Sequence, residues 1–140
     1  MDTEGLIKQA LDARKNSYAP YSEYHVGAAL LCKDGSVFCG SNVENASYGA
    51  TVCAERSAVF AAVSSGKRKF DAIAIAGGDK SETDRMKDYA FPCGVCRQVL
   101  REFTDPASFK VYVARSVSDY RQFALEELLP DSFGPDNVRK

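Results

Sequence analysis

Basic residues are in no excess. Lys and Arg total 18 against 19 Asp and Glu in 140 residues, a formal net charge of −1. That balance argues against a protein that lives on nucleic-acid phosphates or acidic membrane surfaces, since both need a positive surplus. No apolar run approaches the roughly 18 residues of a membrane span. The first residues, MDTEGLIKQALDARKN, are charged and amphipathic, with no apolar stretch leading to a cleavage site. The expectation is a soluble, cytoplasmic chain with no membrane or nucleic-acid partner. Repeats, low-complexity tracts and linkers are missing too, so residues 1–140 read as one domain. Histidine is nearly absent, with His25 alone. The five cysteines are an odd number with no secretion signal beside them, which speaks against a disulfide framework and for metal binding or catalysis.

With 45% apolar and 26% charged residues, the chain can bury a core without staples. Leu6, Ile7, Ala10 and Leu11 share one stripe, so a helix is expected over residues 4–16. Tyr18-Ala-Pro20-Tyr-Ser22 breaks it. Two apolar runs, Val26 to Leu31 and Val37-Phe38, flank Asp34-Gly35 and predict a hairpin. Residues 42–51 are polar and contain glycine, which predicts a functional loop. A buried helix is expected from Cys53 to Val63, ending near Gly66. Asp71 to Ala76 reads as a strand, and Gly77 to Phe91 as a long polar loop. Pro92 is expected as the first residue of a helix carrying Val95, Val99, Leu100 and Phe103. Lys110 to Arg115 predicts another strand, and Leu125 to Leu129 a short terminal helix. Helices alternating with short strands imply an α/β fold, a mixed or parallel sheet with helices on its faces.

Cys93-Gly-Val-Cys96 sets two thiols three apart at the start of a predicted helix. Free N–H groups and the positive dipole end there favour thiolates, the metal-binding form. Alone, this pair is equally a redox couple, half of a structural zinc site, or two buried small residues. Cys53 adds a third thiol at the start of the other buried helix, with Glu55 two residues on. In mid-helix a two-residue step turns about 200° and would point the pair apart. The arrangement therefore works only with Cys53 at the helix N-terminus. Three protein ligands leave the fourth position of zinc open, as a catalytic site requires. Only Cys32, Cys39 and His25 are available to close it, and all lie in the predicted hairpin. Three thiolates leave Zn2+ with a formal charge of −1. Two helix N-termini offset this, and Arg56 is placed to donate toward the sulfurs.

Thr51-Val-Cys53-Ala-Glu55-Arg56 with Phe91-Pro92-Cys93-Gly-Val-Cys96-Arg97-Gln98 resembles the three-cysteine branch of the zinc nucleoside deaminases. Asn42-Val-Glu44-Asn45-Ala46-Ser47-Tyr48-Gly49 and Glu127-Leu-Leu-Pro130-Asp-Ser-Phe133-Gly134 also resemble the small homotetrameric cytidine deaminases. The likeness runs from about residue 6 to 134. It implies a three-layer α/β/α sandwich around a five-stranded mixed sheet, and one Zn2+ per chain on Cys53, Cys93 and Cys96. It also implies hydrolysis of free cytidine and 2′-deoxycytidine to the uridines plus ammonia. A zinc-bound hydroxide attacks C4 while Glu55 shuttles the proton. Asn42 and Glu44 resemble the family's clamp on the ribose 3′-hydroxyl. A carboxylate there would repel a 3′-phosphate and exclude polynucleotides. Ala54 is carried over as a substrate contact, Tyr24 as the stacking ring, and Tyr48 and Phe133 as contributions across a subunit boundary. Arg56 takes the role of donor to the thiolates. Tyr24-His25 departs from the family's usual Phe, and the added hydroxyl needs a partner.

Each of these residues also has a plainer reading. Arg56 is an ordinary surface charge, Glu55 a helix-start carboxylate, Asn42 an Asx-turn, and the aromatics are core or surface packing. Three rival functions follow: a zinc deaminase of another aminated heterocycle, such as a cytosine-containing antibiotic; a structural zinc module; and a polynucleotide-editing deaminase.

Overall fold

The computed structural model describes residues 1–139. Five strands form one sheet in the order β2-β1-β3-β4-β5. They are β1 (His25–Cys32), β2 (Val37–Ser41), β3 (Phe70–Gly78), β4 (Lys110–Ser116) and β5 (Asp119–Ala124). The hairpin forms where Asp-Gly predicts it. Gly35 adopts φ +91°, open to glycine, and the Asp34 side chain accepts from the Ser36 amide at 3.0 Å. β1 runs antiparallel to both β2 and β3, β3 is parallel to β4, and β4 is antiparallel to β5. The sheet is thus mixed.

Side-chain alternation sorts the layers. Ala28, Leu30, Ile73, Ile75, Val111 and Val113 face one side, packed with Ala54, Ala58, Val59 and Leu100 from α2 (Ala54–Ser64) and α3 (Gly94–Glu102). Ala29, Ala72, Ala74 and Ala114 face the other, against Leu6, Ile7 and Ala10 of α1 (Thr3–Ala13). A strand period of two and a helix stripe three to four apart meet on both faces. The result is the expected α/β/α sandwich. Each large side chain wholly buried in it, such as Leu100 or Ile73, contributes about 1.5–3 kcal/mol. Small residues on the α1 face let that helix lie close. At Gly27 a Cβ would stand 2.0 Å from the Ala10 carbonyl oxygen.

The topology decides where the two other long helices begin. β2 and β3 both run opposite to β1, so β2, β3 and β4 share one direction. α2 follows β2 and α3 follows β3, so both start at the carboxyl edge of the sheet and both lie on one face. That edge is where α/β sheets collect their ligands.

Two expectations are corrected, and one strand was not expected. Pro92 is not helical: α3 starts at Gly94, because Cys93 occupies the capping position and its sulfur accepts the Cys96 N–H at 3.5 Å. The helix expected through residue 16 ends at Ala13 and tightens into a 3-10 turn, Arg14–Asn16. β5 has no apolar alternation to announce it, being an edge strand exposed along its middle. The terminal helix α4 (Leu125–Leu128) is in place, followed by α5 (Pro135–Val138). No helix among the described residues is long and apolar enough to cross a membrane.

Candidate active site

Cys53 caps α2 with extended backbone, φ −72° and ψ 157°, and Cys93 caps α3 in the same way, φ −69° and ψ 169°. Cys96 lies in the first turn of α3. Neither helix begins with Ser, Thr, Asp or Asn, so the thiols stand where oxygen acceptors usually cap. The sulfurs of Cys53 and Cys93 are 3.9 Å apart, and those of Cys93 and Cys96 3.5 Å. Four-coordinate zinc with Zn–S bonds of about 2.3 Å at tetrahedral angles separates its sulfurs by about 3.8 Å. The three thiols therefore match a zinc ion. Among the described residues no His or fourth Cys joins them. Cys32 is buried in the core and Cys39 lies on β2 with its thiol donating to Gln9, so the hairpin does not close the site.

Electrostatics prepares these sulfurs for a cation. The Cys53 thiol falls to about 5, because Cys96 and then Arg56 and Cys93 donate toward it. Cys96 rises in turn, since it is the donor to Cys53 and is itself buried. Arg56 Nη2 reaches the Cys53 sulfur at 3.4 Å, while its buried Nε has no acceptor among the described residues. A half-buried guanidinium aimed at thiolates supplies positive charge that a Cys₃ set needs and that its own helix cannot give alone.

Glu55 follows Cys53 by two residues on the first turn of α2 and is 4% exposed. Burial pushes its carboxyl up to about 7, and the Cys53 charge adds to the rise. A carboxyl that changes charge near neutral pH suits proton transfer.

Both residues open into a cleft of about 510 Å³ that also takes in Tyr24, Asn42, Glu44, Ala54, Cys93, Tyr89, Ala90 and Phe91. The loop carrying Asn42 and Glu44 is held by backbone pairing. Val43 exchanges two bonds with Val52, and the Tyr18 and Glu44 backbones bond across the other side. The Asn42 side chain is largely committed within the chain. Its Oδ1 accepts from Val26 N at 2.9 Å and from the Ser17 hydroxyl, and its Nδ2 donates to Tyr24 O at 2.8 Å. One amide N–H is left over. The Glu44 carboxylate accepts from the Tyr21 and Ser22 amides and the Ser22 hydroxyl, which holds it below the usual carboxylate range.

Tyr24 lays its ring across Gly77, where a Cβ would stand 2.9 Å from Cε2 and 3.0 Å from the hydroxyl. The extra oxygen therefore points toward the end of β3. Tyr48 and Phe133 are not brought into the cleft of their own chain. Tyr48 is 77% exposed, edge-on to Tyr21, and Phe133 is 62% exposed, with its carbonyl accepting from Gln98 Nε2 at 2.9 Å. Tyr89, Ala90 and Phe91 line the cleft although no motif in the sequence marks them for it; their closeness to Cys93 is the available signal.

The family model for the cytidine and deoxycytidylate deaminase zinc-binding region matches residues 1–113. A cytidine deaminase of Halalkalibacterium halodurans is 47% identical over 138 residues, covering 99% of this chain and 98% of that one. One from Mycobacterium tuberculosis is 40% identical over 138 residues, covering 99% and 94%. The crystal structure of a Burkholderia pseudomallei cytidine deaminase superposes with a TM-score of 0.85 at 44% identity, over 95% of this chain and 100% of that one. With capping thiols at zinc distances, a buried carboxyl beside them and these likenesses along nearly its whole length, the chain belongs to the zinc-binding cytidine and deoxycytidylate deaminase family.

Proposed function

We propose that the protein removes the exocyclic amine from free cytidine and 2′-deoxycytidine by hydrolysis, releasing ammonia, as one catalytic domain. One observation carries the reading: of three thiols at zinc-binding separations, Cys53 and Cys93 open, beside the buried Glu55, into a cleft walled by Tyr24, Asn42 and Glu44, and Cys96 lies buried behind them. When bound, zinc lets water act as a nucleophile at neutral pH by lowering its pKa. Glu55 would carry one proton of the attacking water to N3 of the base and then the second proton of the same oxygen to the amine, which leaves as ammonia, a shuttle its raised pKa allows. Tyr24 packs on the base. The Glu44 carboxylate accepts the ribose 3′-hydroxyl and the free Asn42 N–H donates to the same oxygen.

Glu44, ionised and facing that oxygen, repels a 3′-phosphate, so the substrate is a nucleoside and not a strand of nucleic acid. Tyr48 and Phe133, exposed on a single chain, complete the cleft of a neighbouring subunit in a homotetramer. Three thiols kept for a metal suit the reducing cytoplasm.

Zinc-loaded protein mixed with cytidine tests the reading through the ultraviolet change as uridine forms. Wild type converts cytidine, and Glu55→Gln loses about 10³-fold or more. Equal rates remove Glu55 from its role. No conversion by a protein holding one zinc per chain refutes the substrate assignment.

A further inference from the structure

The Arg14 side chain is only 8% exposed and has no carboxylate partner among the described residues. Its guanidinium is spent on three backbone carbonyls instead. Nε donates to His25 O at 2.8 Å, Nη1 to Glu82 O at 2.7 Å and Nη2 to Asp79 O at 2.8 Å. Two of those acceptors lie in the segment between β3 and α3, 65 and 68 residues away in sequence. The third belongs to the residue next to Tyr24. Burying a cation costs free energy that three charge-assisted bonds offset only when the geometry is held. A planar fork suits three divergent carbonyls, and a lysine ammonium does not.

The same segment is fixed elsewhere, and its end forms the cleft wall. The Glu82 carboxylate folds back to accept the Asp79 and Lys87 amides, closing the turn. Buried Met86 exchanges two bonds with Arg115, its amide donating at 2.6 Å and its carbonyl accepting at 3.3 Å. The Tyr89 hydroxyl donates to Asp119 at 2.6 Å. Beyond these anchors come Tyr89, Ala90 and Phe91, which line the cleft, and Ala90 meets Tyr24 above Gly77.

We infer that Arg14 is a positioning residue for the nucleoside cleft: it ties the 79–82 turn to the start of β1, and the tie sets the gap between Tyr24 and the Tyr89–Phe91 wall. The inference rests on the proposed function only for what fills that gap. Arg14 touches neither the thiols nor Glu55, so its loss weakens nucleoside binding and leaves the chemical step in place.

Arg14→Lys and Glu82→Ala are compared with wild-type holoenzyme, the second variant keeping the guanidinium while opening the turn it grips. Three readouts are taken: KM and kcat on cytidine, zinc per chain, and the rate of tryptic cleavage after Lys80, Arg85 and Lys87. The expected result is faster cleavage, KM raised about tenfold, kcat within about twofold and zinc retained, the pattern of lost uniform binding. Faster cleavage with unchanged KM overturns the inference. So does a fall in kcat with loss of zinc, which marks a general structural role. If Arg14→Lys does not fold, Glu82→Ala decides alone by the same criteria. An inactive wild type that holds its zinc refutes the cytidine reading and this inference together. An active wild type with unmoved KM in the variants refutes this inference alone.

Discussion

Replacing Gly40 by alanine moves the turn that carries Glu55 through the sheet beneath it. Gly40 lies on β2, where α2 crosses so closely that an added Cβ would stand 2.4 Å from Ala58 N, 2.6 Å from Ala54 O and 2.8 Å from Ser57 Cβ. Ordinary contacts begin near 3.5 Å, so one methyl group demands a shift of about 1 Å. Two of the three atoms are helix backbone, which cannot swing aside as a long side chain would. Overpacking of this kind costs about 1–3 kcal/mol, or about 3–12 °C of Tm at this chain length. The contacted atoms belong to residues 54–58, the turn that holds Glu55 and follows Cys53. A displacement of about 1 Å in catalytic groups lowers rate by about 10²-fold. Thermal unfolding and steady-state cytidine deamination, with zinc content measured in parallel, check both halves. A Tm lowered as expected with undiminished kcat/KM would show that the turn tolerates the movement, and an unchanged Tm would refute the close-packing argument itself.

Arg56→Gln keeps the thiols but removes their cationic donor, so zinc affinity falls by about 10–100-fold in competition with a chromophoric chelator; unchanged affinity would place the guanidinium outside the metal's surroundings. Tyr24→Phe leaves kcat/KM within about threefold, because the hydroxyl lies over Gly77 and the ring proposed to pack on the base is kept; a larger loss in the same absorbance assay would assign the oxygen a substrate contact. Stripping the metal with a chelator abolishes deamination and makes three additional thiols reactive to a thiol reagent, and zinc restores both. Persistent activity in the metal-free protein would end the zinc reading.

Much of the site is legible because the chemistry sits at helix starts. Glu55 can share a site with Cys53 only if that cysteine caps α2, and the cap is found. Pro92 misleads for a related reason: proline favours a first helical turn, but the Cys93 sulfur takes the capping position and moves the start to Gly94. β5 escapes notice because an edge strand with polar residues on both faces has no period of two to display. The cleft wall is harder still. Tyr89 and Phe91 are aromatic residues in a polar stretch, and only the fold brings them opposite Tyr24. Arg14 reads as an ordinary charge near a helix end, because its partners are 65 and 68 positions away. Asn42 shows the limit of a matched motif. The residue is where expected, yet most of its hydrogen-bonding capacity serves its own chain.

The two capping helices begin at one edge of the sheet, but their thiols are 40 residues apart in the chain. A ribosome adding about 5–20 residues per second delivers Cys53 about 2–8 s before Cys93. Through that interval the nascent protein carries Cys53 beside Arg56 in sequence, with neither of its companion ligand sulfurs made. Metal capture must therefore wait on translation of the second crossover, and oxidants have those seconds in which to reach the first thiol.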